Sequence, residues 1–428
     1  MDTITNLIKD VPIPKMVKVR QKFDDSHITA EEIPAVVMKE LDREDLGGKI
    51  KPGQRIAITC GSRGIHNYPV FVKAIIEYVR SKGAEPFIVA AMGSHGGATS
   101  KGQLEVLEGN GITEETMGVP VMADMDTVLI GKSARHDLEV RVDKNAAAAD
   151  GIILFNRVKP HTSFRGRYES GLMKMCAIGL GKQHGASLIH HMPPRIMHEV
   201  IEDNGTVVLK NLPVLGGIAV IENAYDYTWM IKGLTPDEII TEEPKLRDLS
   251  YETIAHILFD KCDVLVVDKM GKNISGDGMD PNVTGRFVTK ECQGTAGLNP
   301  EKLAILDLTD ETHGNAQGIG VADCTTRRLF DKLVFSMTYA TNITNTFLLQ
   351  SRIPMVMDND RECLQACLST CPDAEDHDNM KMIHIHDTGH LEFIEISEAL
   401  LPAAKANPNI EILSEPFELA FDENGNLF

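Results

Sequence analysis

No apolar run in this chain approaches membrane-spanning length, and its opening residues, MDTITNLIKDVPIPK, have neither the apolar core nor the small-residue cleavage site of a secretory signal. A membrane is therefore not expected as a partner, and a cytoplasmic location is. Cysteine is scarce: eight residues, scattered from Cys60 to Cys371, do not make a disulfide framework. Positive charge is in deficit. With 43 Lys and Arg against 62 Asp and Glu the net charge is −19, which repels phosphate backbones and excludes nucleic acid as an expected partner. No G-x-x-x-x-G-K-[ST] occurs, and the first strand-like run is not followed by G-x-G-x-x-G, so Walker-type nucleotide hydrolysis and the usual dinucleotide fingerprint are unsupported. Fixed-period repeats, heptads and low-complexity tracts are missing as well.

What remains has the composition of a soluble globular enzyme, 43% hydrophobic and 25% charged, in a chain too long for one compact core. Strand-like runs at 55–60, 87–92 and 151–156 alternate with helical patterns at 70–81 and 101–109. The alternation returns after a helical stretch at 236–259, with strand-like runs at 262–268, 302–308 and 382–387 and helices near 326–350 and 360–371. This pattern predicts an α/β protein of two α/β domains with mainly parallel sheets and the active site in the cleft between them. The expected boundaries are 1–250 and 251–428, with the last residues packing back on the first domain.

Ligands of open α/β sheets sit beyond the carboxyl ends of the strands. The polar loops at those places are CGSRG with Arg63, MGSHGGAT with His95, NRVKPHTSFRGR with His161, Arg165 and Arg167, and KMGKNISGDGMDPNVTGR with Lys272. The stretch from His161 to His191 is the densest in chemistry. It joins one histidine, two arginines and a glutamate to a lysine, Lys174, inside an apolar helical run, and closes on His190 and His191. Buried lysine and histidine are costly without partners and shift their protonation readily, so their concentration points to chemistry. An arginine in a glycine-flanked loop suits a carboxylate. Two histidines on opposite sides of one carbon suit a racemase, each acting as base for one enantiomer and acid for the other. Histidine alone does not readily remove the hydrogen at carbon 2 of a 2-hydroxy acid, so a hydride acceptor is required.

The order Arg63, His95, His161, Lys174, His190 resembles the lactate racemase family, whose members use a nickel-pincer nucleotide. The likeness is clearest over residues 55–200, in AAMGSHGGAT, KPHTSF and SGLMKMCAIG. It implies a racemase or epimerase of a 2-hydroxy acid, with Arg63 on the substrate carboxylate and His95 and His161 as alternating acid and base. It further implies Lys174 as the covalent link to the nucleotide and His190, sixteen residues on, as the nickel ligand. An apolar helix would ease the neutral lysine that such a link needs, and one imidazole completes a square-planar nickel site beside the pincer's three donors.

The chain departs from the family pattern around the substrate. Gly61 and Ser62 stand where the family has an acidic residue before the arginine, and the loop from His161 to Lys174 is three residues longer, adding Arg165, Arg167 and Glu169. Lys272 or Arg286 stands in for a family glutamine and lysine. These changes favour a larger or more anionic acid than lactate, with Arg165, Arg167 and Lys272 among its contacts.

Partners then are that small acid, transiently the enzymes that make the cofactor, and a second copy of the chain if it forms a homodimer. An NAD-type dehydrogenase using the same histidines, and a two-lobed non-catalytic binder of an organic anion or nickel, are the alternatives. Cys363, Cys367 and Cys371, four apart, read as buried cysteines on one helix face; His384, His386 and His390 carry only a weak metal signal.

Overall fold

The computed structural model describes residues 2–372, 376 and 379–428. The chain forms two compact units, Asp24–Ile254 and a second assembled from Met1–Phe23 with Ala255–Phe428.

In the first unit five parallel strands lie in the order Val121–Met122, Glu85–Ala90, Arg55–Cys60, Gly151–Arg157 and Val214–Glu222, and Thr228–Leu234 closes the edge antiparallel. Parallel strands are covered on both faces, which is why they read as unbroken apolar runs rather than alternating ones. Ile56, Ile58 and Cys60 face one core, with helices Ile33–Leu41 and Tyr68–Ser81 packed on it; Ala57, Ile152 and Leu154 face the other, under Pro194–Asn211. Tyr68–Ser81 buries Phe71, Val72, Ile75, Ile76 and Val79 at helical spacing. At roughly 1.5–3 kcal/mol per fully buried large apolar side chain, that stripe alone fixes the helix to the sheet.

The second unit holds an eight-stranded sheet. Met355–Met357, Cys324–Thr326, Lys302–Leu308, Val264–Met270 and Met382–Ile385 run parallel, followed by the antiparallel strands Phe393–Ser397, Met16–Gln21 and Ile410–Ile412. The parallel α/β character expected from the sequence is thus present in both units.

Two expectations need correction. Residues 1–23 do not belong to the first unit: Met16–Gln21 is an interior strand of the eight-stranded sheet, hydrogen-bonded on both sides. The end of the chain is part of the second unit, where Phe417 pairs with Met16 and Phe417, Phe421 and Leu427 pack on its core. The helical stretch at 236–259 is two helices, Pro236–Thr241 and Glu243–Thr253, with Pro244 starting the second turn of chain afresh. Cys363 and Cys367 are buried on helix Asp360–Ser369, with Cys371 buried just beyond it. Among the described residues no helix is long and apolar enough to cross a membrane.

Candidate functional site

Arg63, His95 and His161 follow three strands that are direct neighbours in the parallel sheet, Arg55–Cys60, Glu85–Ala90 and Gly151–Arg157. Their loops therefore leave the same sheet edge. Each is tied to the segment that carries Lys174. A Cβ on Gly61 would lie 3.4 Å from Met175 Cε, and Gly93 N–H donates to the carbonyl of Gly179 at 3.2 Å. Asn156, in the strand that leads to His161, donates to the carbonyl of Gly171 at 2.9 Å.

The Lys174 segment is a short α-turn, Gly171–Lys174, a wider π-helical turn, Met175–Gly179, and helix Lys182–His190. A π-turn inside a helix sacrifices regular bonding and tends to mark functional sites. The start of the segment is capped by an unusual group: the buried Glu243 carboxylate accepts from Leu172 N–H at 2.5 Å and Met173 N–H at 3.1 Å. Gly171 has φ +78°, and a Cβ there would sit 2.7 Å from Glu243 Cδ, so glycine is required twice over.

The loop between strand and Lys174 is folded around Glu169, which is fully buried. Its carboxylate accepts from His161 N–H at 2.9 Å, Gly166 N–H at 3.1 Å and Tyr251 Oη at 2.9 Å, with the Arg247 guanidinium at 3.2 Å. Ser170 Oγ closes the loop, accepting from Lys159 N–H and donating to its carbonyl. Arg165 bonds the carbonyl of His161 and stacks on Tyr251 at 5.4 Å. His161 lies against Phe164, ring centroids 4.1 Å apart, and Ser163 N–H donates to its Nδ1 at 3.0 Å. Lys174 Nζ is 5.2 Å from the centroid of the same Phe164 ring and donates to the carbonyl of Glu169 at 3.3 Å.

The electrostatics register the same gathering. Burial, then Lys174, His190, Arg165 and Arg63, hold His161 well below the ordinary histidine range. Burial, Lys174 and His191 pull His190 down to about 4. Both imidazoles are therefore neutral near pH 7, beside several cations in an otherwise acidic protein. His184 and His191 are exposed, whereas His190 is turned inward toward this group.

Arg167, Lys272 and Arg286 each have partners within the fold. Arg167 bonds Glu202 at 2.9 Å and the carbonyl of Ile240 at 2.8 Å, so its guanidinium ties the loop to two helices. Lys272 lies in the other unit, where its Nζ donates to Gln317 Oε1 at 2.6 Å. Arg286 binds the carbonyls of Pro300 and Glu301 and the carboxylate of Asp323, holding a loop.

Sequence reasoning missed Glu243, Tyr251 and Arg247 because they reach the loop from some seventy to eighty residues away. It also missed Gln103 and Lys182, both fully buried. Lys182 Nζ donates to the carbonyl of Ala90 at 2.6 Å and to Gln103 Oε1 at 2.8 Å, and Asp143 Oδ2 is 3.3 Å away. Gln103 Nε2 donates to the carbonyls of Gly93 at 2.9 Å and His95 at 3.3 Å, so this network holds the His95 loop. Lys182 has φ +52°, the one local oddity, and it is not visible in a sequence.

Residues 56–237 match a family described as Domain of unknown function (DUF362). No curated protein matches the chain. Among solved structures the chain is similar to a Thermotoga maritima protein, at 12% identity over 66% of this chain and 72% of that one, with a TM-score of 0.46. It is also similar to the lactate racemase apoprotein of Thermoanaerobacterium thermosaccharolyticum, at 12% identity over 87% of this chain and 88% of that one, with a TM-score of 0.43. At these scores neither likeness carries an argument about function.

Proposed function

We propose that Asp24–Ile254 is the catalytic unit of a racemase or epimerase of a 2-hydroxy acid that works with a nickel-pincer nucleotide tethered at Lys174. The observation that supports this reading is that the loops of Arg63 and His161 leave one sheet edge while Lys174, on a segment bonded to the strand before His161, has its amine over the same Phe164 ring that His161 lies against. Cations collected around two neutral imidazoles in an acidic protein suit a small anion.

The residues present suit the group. His190, neutral down to about pH 4, is in the form that binds nickel. Lys174 sits on an apolar segment between Leu172, Met173, Met175 and Cys176, all buried, with its amine end toward His161 and Phe164. When bound, the group supplies a hydride acceptor for a carbon–hydrogen bond too weakly acidic for a side-chain base. The chain's own part is to bind and orient. Arg63 holds the substrate carboxylate as a fork, Arg165 meets a second polar group, and His95 and His161 handle the hydroxyl oxygen and its proton.

Chiral chromatography of single enantiomers of 2-hydroxy acids, incubated with protein made beside the cofactor-synthesis enzymes, tests this. Racemisation is expected, with deuterium at carbon 2 kept in ordinary water and none gained there from heavy water. Wash-out of the label would remove the hydride reading, and no turnover of any acid would remove the racemase.

A further inference from the structure

We propose that Gln103 and Lys182 are positioning residues for His95: together they lock its loop onto the helix that ends at His190, so that the acid–base group and the cofactor end are placed as one body. The role in turnover rests on the proposed hydroxy-acid site; the lock itself does not.

Lys182 opens helix Lys182–His190, where it is fully buried and held at φ +52°. A buried ammonium and a left-handed backbone under a long side chain are both costly, and together they mark a constraint that packing alone does not select. Three elements meet the ammonium: the carbonyl of Ala90 at the end of strand Glu85–Ala90, the carboxylate of Asp143, and Gln103 Oε1 on helix Ser100–Gly109. An ammonium only donates. Gln103 must therefore turn its oxygen to Lys182, which leaves its amide nitrogen to the carbonyls of Gly93 at 2.9 Å and His95 at 3.3 Å. Lys182 thus sets which way the amide points, and the amide holds the loop. Gly93 adds its own tie to the same segment, since its N–H donates to the carbonyl of Gly179 and a Cβ on it would lie 3.3 Å from Ala186 Cβ. The loops of Arg63 and His161 are fastened elsewhere, with His66 N–H on Glu222 and His161 N–H on Glu169. Loosening the lock therefore moves His95 and leaves the substrate's carboxylate anchor in place.

The test is Gln103→Glu, whose carboxylate still meets Lys182 but offers no donor to the two carbonyls. Hydrogen–deuterium exchange of the full chain, free of cofactor and substrate, should show residues 91–102 exchanging about tenfold faster or more, two hydrogen bonds having gone, while 183–190 keep the wild-type rate. Gln103→Leu, neutral and of similar size, repeats the measurement should the buried carboxylate prevent folding. Wild-type exchange over 91–102 in either folded variant overturns the lock. In the cofactor-loaded protein the variants should lower kcat by about tenfold or more with KM nearly unchanged, as misplacement of an acid–base group does. A raised KM at unchanged kcat overturns the tie to His95. Absence of turnover in the wild type refutes the racemase and the kinetic half together, whereas the exchange measurement decides the lock by itself.

Discussion

Lys182 shows how a charge is tolerated in the interior of the first unit. Its ammonium is fully buried and meets a carbonyl, an amide oxygen and the buried carboxylate of Asp143. Lys182→Met would leave Asp143 as an uncompensated charge, and a loss of about 3–5 kcal/mol in urea unfolding is expected. Adding Asp143→Asn should recover most of it; if the double variant is no more stable than the single one, the pair is not what Lys182 supplies. Glu243 carries the opposite liability. Burial pushes its carboxyl up to about 8, against two backbone N–H bonds that pull it down. A raised carboxyl contributes stability that is complete below the ordinary value of 4.5 and is lost as pH rises through about 8. Glu243→Gln cannot ionise. Its amide has one acceptor oxygen for the two backbone N–H groups, so the variant should be less stable than the wild type near pH 4.5 yet lose less stability than the wild type between pH 4.5 and 8, and an equal loss in both would contradict the assignment.

Among the elements, the eight-stranded sheet holds its own titrating group. His384 on Met382–Ile385 lies between Asp268 at 2.6 Å and Glu395 at 3.0 Å, on the two neighbouring strands. Burial opposes its charge, yet the two carboxylates prevail and raise it to about 9. The stabilisation is complete below the ordinary histidine value of 6.5 and disappears as pH rises through about 9. NMR titration should find His384 half-protonated near pH 9, with Glu395→Gln lowering the midpoint by about one unit or more. A wild-type midpoint near 6.5 would refute the clamp. Much of this element structure is legible in the sequence. RIAITC is a strand over its full length, 55–60, and the loops bearing Arg63, His95 and His161 fall at one sheet edge because parallel strands present their carboxyl ends together. The break at 242 is marked in the sequence only by Pro244, since apolar spacing runs through it. Glu169's partners are not legible, because Tyr251 and Arg247 meet it only through the packing of helix Glu243–Thr253.

At the scale of the whole molecule, the chain crosses between its units twice, at Phe23 and at Ile254. Periodicity could not announce this, for the partners of Met16–Gln21 lie more than 370 residues away. A fragment spanning 24–254 should therefore fold with a cooperative unfolding transition, whereas 255–428 should fold only when residues 2–23 are supplied, as circular dichroism of the separate and mixed fragments will show. Peptide-level mass spectrometry of the full chain, produced beside the cofactor-synthesis enzymes, tests the assignment of the site most directly. Lys174 has its amine over the Phe164 ring that His161 lies against, whereas Lys182 is buried on Gln103 and Asp143. A nucleotide adduct on the peptide containing Lys174, lost in Lys174→Ala and kept without nickel in His190→Ala, is the expected result. An adduct on Lys182, or unmodified protein in every preparation, would contradict it.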